Sequence, residues 1–169
     1  MAYSTEGCTI GHVRLNGEAV WQGWWRKGCG ETFPDPRGVN TLLIDPFSCS
    51  VQENLTFDTH MSSAAATQLS DYLLQLNRGS VVVGVTADEP TGHLSNALST
   101  LRQFGVEVAD VGWRGSFAFV VQKGHPSKTE LSKVLTEIES FRAPGRVTAV
   151  ITGRSIQDPC ENAVNFLIG

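Results

Sequence analysis

The chain has 169 residues, 41% of them hydrophobic, with 13 Lys and Arg against 17 Asp and Glu for a net charge of -4. That length suits one domain with a sizeable core. The acidic balance and the lack of a Lys/Arg cluster argue against a broad nucleic-acid surface, and no run of about 18 apolar residues offers a membrane span.

In chain order, Met1-Ala2-Tyr3-Ser4-Thr5-Glu6 lacks an apolar segment and does not read as a signal peptide; a mature form or an excised domain is expected. Asn16-Gly17 between Val13, Leu15 and Val20 predicts a β-hairpin over 12–22. Gly23-Trp24-Trp25-Arg26-Lys27-Gly28-Cys29-Gly30 reads as a glycine-rich aromatic loop with Trp24 and Trp25 partly exposed. Pro34 and Pro36 extend the approach to Arg37. Val39 to Asp45 predicts a strand, Pro46 to Cys49 a turn, and Ser50 to Phe57 the returning strand. Leu69, Tyr72, Leu73 and Leu76 share one face of a helix over 62–76, capped by Ser62 or Ser63 and ended by Gly79.

Val81-Val82-Val83-Gly84-Val85 reads as a buried strand running to Asp88, and Leu94, Leu98 and Leu101 as a second helix closed near Gly105. Val106 to Val111 suggests a short strand, followed by another over 117–122. Ser127-Lys128-Thr129-Glu130 has the form of a capping box, and Leu131, Val134, Leu135 and Ile138 complete a third helix. Pro144-Gly145 breaks it before a last strand over 146–152. Tight hairpins mixed with helical crossovers predict a compact α+β domain. Its expected parts are 1–36 (hairpin and Trp/Gly-rich loop), 37–124 (the main body) and 125–169 (a C-terminal helix and strand completing the same domain).

Enzyme signatures are missing: there is no G-x-S-x-G elbow, Walker A loop, H-E-x-x-H pair or G-x-G-x-x-G after a strand. His12, His60, His93 and His125 are scattered, and the cysteines, Cys8, Cys29, Cys49 and Cys160, form no C-x-x-C, so no metal or other cofactor is expected. Asp58-Thr59-His60-Met61-Ser62 holds acid, base and hydroxyl too close in sequence for a triad, and reads better as capping and loop hydrogen bonding. Asp88 and Glu89, adjacent at a strand end, should point apart. Asn54-Leu55-Thr56 is a glycosylation sequon. Four cysteines allow three disulfide pairings or four free thiols.

Arg37, Asp88 and Arg114 all stand at strand boundaries. A guanidinium offers a planar fork of donors and a carboxylate offers acceptors, the set needed to read vicinal hydroxyls. Trp113, or Trp24 and Trp25, could supply a flat face for a sugar ring. The same residues would equally serve as a buried Arg–Asp bridge tying loops together.

Several segments then resemble a known family in order and spacing over residues 37–124. Arg37-Gly38-Val39-Asn40 leads into Leu42-Leu43-Ile44-Asp45 and on to Phe57-Asp58-Thr59. Val85-Thr86-Ala87-Asp88-Glu89, Leu98-Ser99-Thr100-Leu101 with Phe104-Gly105, and Val111-Gly112-Trp113-Arg114 with Phe117-Ala118-Phe119-Val120 and Lys123-Gly124 follow. The run resembles the interleukin-like EMT inducer, or pancreatic-derived factor, domain. Similar domains occur in secreted cytokine-like proteins, in the stem of the protein O-mannose N-acetylglucosaminyltransferase and in hyaluronan-handling cell-surface proteins. Family members often carry an acidic residue or Asn and then an aromatic after the second Arg, where this chain has Gly115, Ser116 and Phe117.

The resemblance implies two β-sheets flanked by helices, here about three. It implies a non-enzymatic, extracellular, lectin-like module, for β-linked N-acetylglucosamine-type glycans, with Arg37, Asp88 and Arg114 as ligand contacts, to which the reading of the residues adds Trp113. It implies disulfides Cys8–Cys29 and Cys49–Cys160. The expected partners are a glycan or glycoprotein, including a hyaluronan-like polysaccharide, with no nucleic acid and no membrane insertion. The expected setting is a domain of a larger secreted or membrane protein, accessory to glycan processing. The competing expectation is a cytokine-like or protein-interaction domain whose Arg/Asp cluster is structural.

Overall fold

The computed structural model describes residues 9–15, 18–24, 37–48, 50–135, 146–150 and 163–168. Among them the chain forms β1 (Thr9–Leu15), β2 (Glu18–Trp24), β3 (Gly38–Asp45), β4 (Ser50–Phe57), α1 (Ser63–Gln75), β5 (Val81–Ala87), α2 (Ser95–Gln103), β6 (Ser116–Gln122), β7 (Glu130–Val134), β8 (Arg146–Val150) and β9 (Ala163–Ile168). The strands make two antiparallel sheets: five strands in the order β4-β3-β5-β6-β7, and four in the order β2-β1-β9-β8.

Strand periodicity sorts the side chains of the five-stranded sheet onto two faces. Val39, Val82, Phe117, Phe119 and Val121 point to one face and pack against Leu69, Leu73 and Leu101 of the helices. Their neighbours Leu42, Ile44, Val81, Val83, Val85 and Val120 point to the other and meet Val13, Leu15 and Trp21 of the four-stranded sheet. The result is three layers, helices on sheet on sheet, with every residue of β5 buried. Helix α1 is held at both ends. Ser62 accepts a bond from the Ala65 N–H at 3.2 Å, as a Ser N-cap should. At the other end Lys123 Nζ, just past β6, donates to the carbonyls of Leu73 and Leu74, where a cation also complements the helix dipole.

The hairpin, the 39–45 and 50–57 strand pair, the first two of the three predicted helices, and the strands at 81–87 and 116–122 form where the sequence places them. Four expectations need correction. Among the described residues there are two α-helices, not three: Pro126–Lys128 is a single 3-10 turn, and the residues after it extend as β7. Beside β6 this segment covers an edge that would otherwise present unpaired backbone groups. Thr129 Oγ1 donates to the carbonyl of Phe104, and Lys133 reaches Asp110 at 2.6 Å. Those tertiary contacts override the capping box. Second, residues 106–111 form no strand. Val106, Val108 and Val111 are buried, but their alternation reflects packing of an irregular segment under the helices. Third, Gly23 and Trp24 extend β2 instead of opening a loop, with Trp24 paired to Thr9. Fourth, the strand at 146–150 is followed by β9, which inserts between β1 and β8.

Gly38 is where the first sheet begins. Its φ of +94° lies outside the range L side chains favour, and a Cβ would stand 2.2 Å from the Phe57 carbonyl oxygen and 2.7 Å from the Thr59 nitrogen. Both obstacles are backbone and cannot rotate away. Gly38→Ala is therefore expected to cost at least about 1–3 kcal/mol of stability, measured by chemical denaturation. An unchanged midpoint would show that the start of β3 is not wedged as described.

Candidate functional site

The antiparallel order of the five-stranded sheet places the start of β3, the ends of β4 and β5, the start of β6 and the end of β7 at one end of the sheet. The register aligns Gly38 with Ala87, Val39 with Phe57, and Ser116 with Val134. Read across that end, the residues just beyond the strands are Asp58, Arg37, Asp88 and Arg114, a row of alternating charge. At about 4.8 Å per strand it extends on the order of 15 Å. The three boundary residues singled out by sequence are therefore brought to one edge, and Asp58 joins them.

Arg37 is gripped first. Its Nε donates to Asp58 Oδ1 at 3.2 Å and its terminal nitrogen to Oδ2 at 2.8 Å, a two-pronged pair. Oδ1 also accepts the Met61 N–H at 3.1 Å. Burial alone would raise the Asp58 carboxyl, but the Arg37 bonds, the Met61 N–H and the nearby positive charge outweigh it and hold the group below the ordinary value of 3.8. The 58–61 turn is tied in turn to the next loop: Thr59 Oγ1 donates to the Pro90 carbonyl at 2.7 Å, and the His93 N–H to the Thr59 carbonyl at 2.7 Å.

Asp88 and Arg114 are the two described non-glycine residues with positive φ, at +56° and +53°. Arg114 is the third residue of the turn Gly112-Trp113-Arg114-Gly115, closed by the Gly115 N–H to the Gly112 carbonyl at 2.9 Å. Turns with positive φ there favour Gly or Asn, so Arg is a locally unfavourable choice. The surroundings hold it: Glu89, 1% exposed, accepts the Arg114 N–H on Oε2, and the Thr91 N–H and hydroxyl on Oε1. One buried carboxylate thus locks the turn that follows Asp88 to the turn that carries Arg114. Glu89 is buried, whereas Asp88 is only partly so.

Trp113 is 58% exposed, with its ring centroid 5.6 Å from that of His60 and tilted by 58°. It presents an aromatic surface next to Arg114, itself exposed. Met61, 62% exposed, lies on the same turn as His60. Sequence reasoning missed two members of this end, Asp58 as the partner of Arg37 and Glu89 as the anchor of Arg114. Both occur in the motif segments Phe57-Asp58-Thr59 and Asp88-Glu89, which is the one signal that marked them. Trp25, the sequence around Pro34 and Pro36, and Cys8, Cys29, Cys49 and Cys160 with their expected disulfides lie outside the described residues, as does the side chain of Trp24.

A family model, that of the interleukin-like EMT inducer, matches residues 37–125, more than half of the chain. The match starts at Arg37 and takes in the whole charged row. Domains of this family are typically extracellular. No curated protein matches the chain. Among the described residues no helix is long and apolar enough to cross a membrane.

Two measurements test this geometry. Because the folded Asp58 carboxyl sits below 3.8, its contribution to stability is present above about pH 4 and is lost as the pH falls through the folded value. Denaturation midpoints followed from about pH 6 downward should fall less steeply in Asp58→Asn than in the parent; parallel curves would mean that the pair with Arg37 contributes nothing. Glu89→Gln replaces one buried acceptor by a donor facing an N–H. It should cost about 1–3 kcal/mol and speed hydrogen exchange at the Arg114 amide, whereas an Arg114 amide as protected as in the parent would remove Glu89 from its anchoring role.

Proposed function

The chain belongs to the interleukin-like EMT inducer family, and from that premise we propose that its charged row is the glycan-binding site of a non-enzymatic, extracellular module. One observation carries the reading: Asp88 and Arg114, a strong acceptor and a planar donor, are both held in left-handed backbone at the same sheet end. Backbone strain of this kind costs about 1–3 kcal/mol per residue and clusters at ligand sites. Asp tolerates such backbone, but Arg does not favour it, and if Arg114 served the fold alone Gly or Asn would serve better there.

The roles divide along the row. Asp58 holds Arg37 and orients its fork. Asp88 accepts from sugar hydroxyls, Arg114 donates to them or to an amide carbonyl, and Trp113 covers the apolar face of the ring. The charge balance favours a neutral ligand. Two guanidinium groups, Arg37 and Arg114, stand among three carboxylates, Asp58, Asp88 and Glu89, so a uronate-bearing polymer such as a hyaluronan-like polysaccharide gains little attraction there. A terminal β-linked N-acetylglucosamine, with vicinal hydroxyls and an acetamido group but no charge, suits the row better. The module would then serve as an accessory domain of a larger glycan-processing protein. The exposed Met61 and Trp113 favour a second reading, a protein-interaction face in which the Arg/Asp cluster is structural, since aromatic and Met side chains are enriched at interface cores.

A glycan array is the direct test, with neutral N-acetylglucosamine-terminated glycans expected to bind and with little loss of binding as salt is raised. Arg114→Lys keeps the charge but not the fork, and should weaken binding by about 1.5–3 kcal/mol, roughly ten- to hundredfold, nearly as much as Arg114→Ala. Asp88→Asn tolerates the same backbone and should lose affinity while melting near the parent temperature. Undiminished glycan binding in Asp88→Asn together with a large drop in melting temperature would refute the lectin reading and favour the structural cluster.

A further inference from the structure

We propose that Asn54 carries an N-linked glycan and that this glycan shields the open edge of the five-stranded sheet. The inference rests on the extracellular setting of the family and not on what the charged row binds. Asn54-Leu55-Thr56 is the single Asn-x-Ser/Thr in the chain, and it falls within β4, the outermost strand, which pairs with β3 on one side and with no described strand on the other.

Asn54 stands across from Leu42. Leu42 is fully buried, whereas Asn54 is exposed, so the cover over this face, which reaches β4 at Val51, stops short of Asn54. Asn is depleted in strands, yet here it occupies the interior of one. Edge strands are normally kept from pairing with other chains by shortness, charge, Pro or irregularity. β4 is eight residues long, with no Pro or Lys and a single charge at Glu53. Its one register shift lies opposite Leu43 and Ile44, toward the other end from Asn54. The stretch 54–57 is therefore regular, one-sided and without a charge of its own, and a bulky hydrophilic glycan at Asn54 supplies the missing obstruction. The Thr56 hydroxyl donates to Asn40 Oδ1 at 2.7 Å, so Thr56 also serves the fold and is the wrong residue to remove in a test.

The modification is a transfer from a lipid-pyrophosphate-linked oligosaccharide in the secretory lumen. Asn54 Nδ2 attacks the first sugar carbon, the N–C1 bond forms, the C1–O bond to pyrophosphate breaks, the lipid pyrophosphate departs and one amide proton is released. Transfer takes place on the extended chain, before β4 pairs with β3.

The chain directed through a eukaryotic secretory pathway is compared with Asn54→Gln by intact mass, and with itself after release by peptide N-glycosidase in heavy-oxygen water, which leaves a labelled aspartate at an occupied site. One glycan is expected on the parent and none on Asn54→Gln. Secreted, folded parent with an unmodified Asn54 would overturn the assignment. Sedimentation over a concentration series then reads the shield. The glycosylated chain should stay monomeric and Asn54→Gln should self-associate; the enzymatically released chain carries an aspartate, itself an edge charge, and serves only to locate the glycan. Adding an edge cation, Gln52→Lys, to Asn54→Gln should restore the monomer. Equal association with and without the glycan, or association that Gln52→Lys leaves untouched, would overturn the shielding role. Melting curves on each sample keep a loss of fold apart from a loss of the shield.

Discussion

Strand β5 must be covered on both faces, and the architecture follows from that requirement. Val81, Val82, Val83 and Val85 leave no polar side for water, and each buried side chain of this size contributes on the order of 1.5–3 kcal/mol relative to exposure. One face is met by Leu69, Leu73 and Leu101 of the two helices and the other by Val13, Leu15 and Trp21 of the second sheet. Gly84 takes part in the same packing. A Cβ there would overlap the ring of its cross-strand neighbour Phe119, so the bare backbone makes room for the aromatic residue that fills the helix-side core. With β5 pinned centrally, β3 and β6 flank it, and their ends define the charged row.

The row combines two kinds of order. Around Arg37 the interactions are mutually supportive: Gly38 permits the close approach, Asp58 accepts two guanidinium bonds, and Thr59 ties the same turn to the 90–93 loop. Around Arg114 local preference and tertiary structure conflict. A turn position suited to glycine holds an arginine, and a buried glutamate on another loop keeps it there. Sequences are usually consistent across levels, and departures concentrate where a side chain is needed for something besides folding. That contrast separates the half of the row whose contacts support one another from the half held against local preference, with Trp113 exposed beside the latter.

The edge at β4, unpaired among the described strands, and the charged row lie on the same sheet but face different problems. The row gathers the ends of successive strands, where loops meet and donors and acceptors alternate. The edge runs along a strand, where backbone groups repeat and specificity is low. In this three-layer domain β4 carries a glycosylation sequon at a position the second sheet leaves exposed.

Much of the body of this protein could be read from residues alone. Period-two and period-3.6 patterns located β3, β4, β5, β6, α1 and α2, because local burial preference and final environment agree there. The motif segments marked Arg37, Asp88 and Arg114 because they fall at strand ends, and strand ends are visible in sequence. Tertiary structure decided what depends on partners distant in the chain. Residues 130–134 became a strand because β6 offered an edge, against a capping box that pointed to a helix. Residues 106–111 stayed irregular because their alternating valines had a core to fill and no strand to join. Asp58 found Arg37 across 21 residues, and Glu89 found Arg114 across 25. Neither spacing has a local signature, since hydrogen bonds between loops are set by the register of the sheet that carries them.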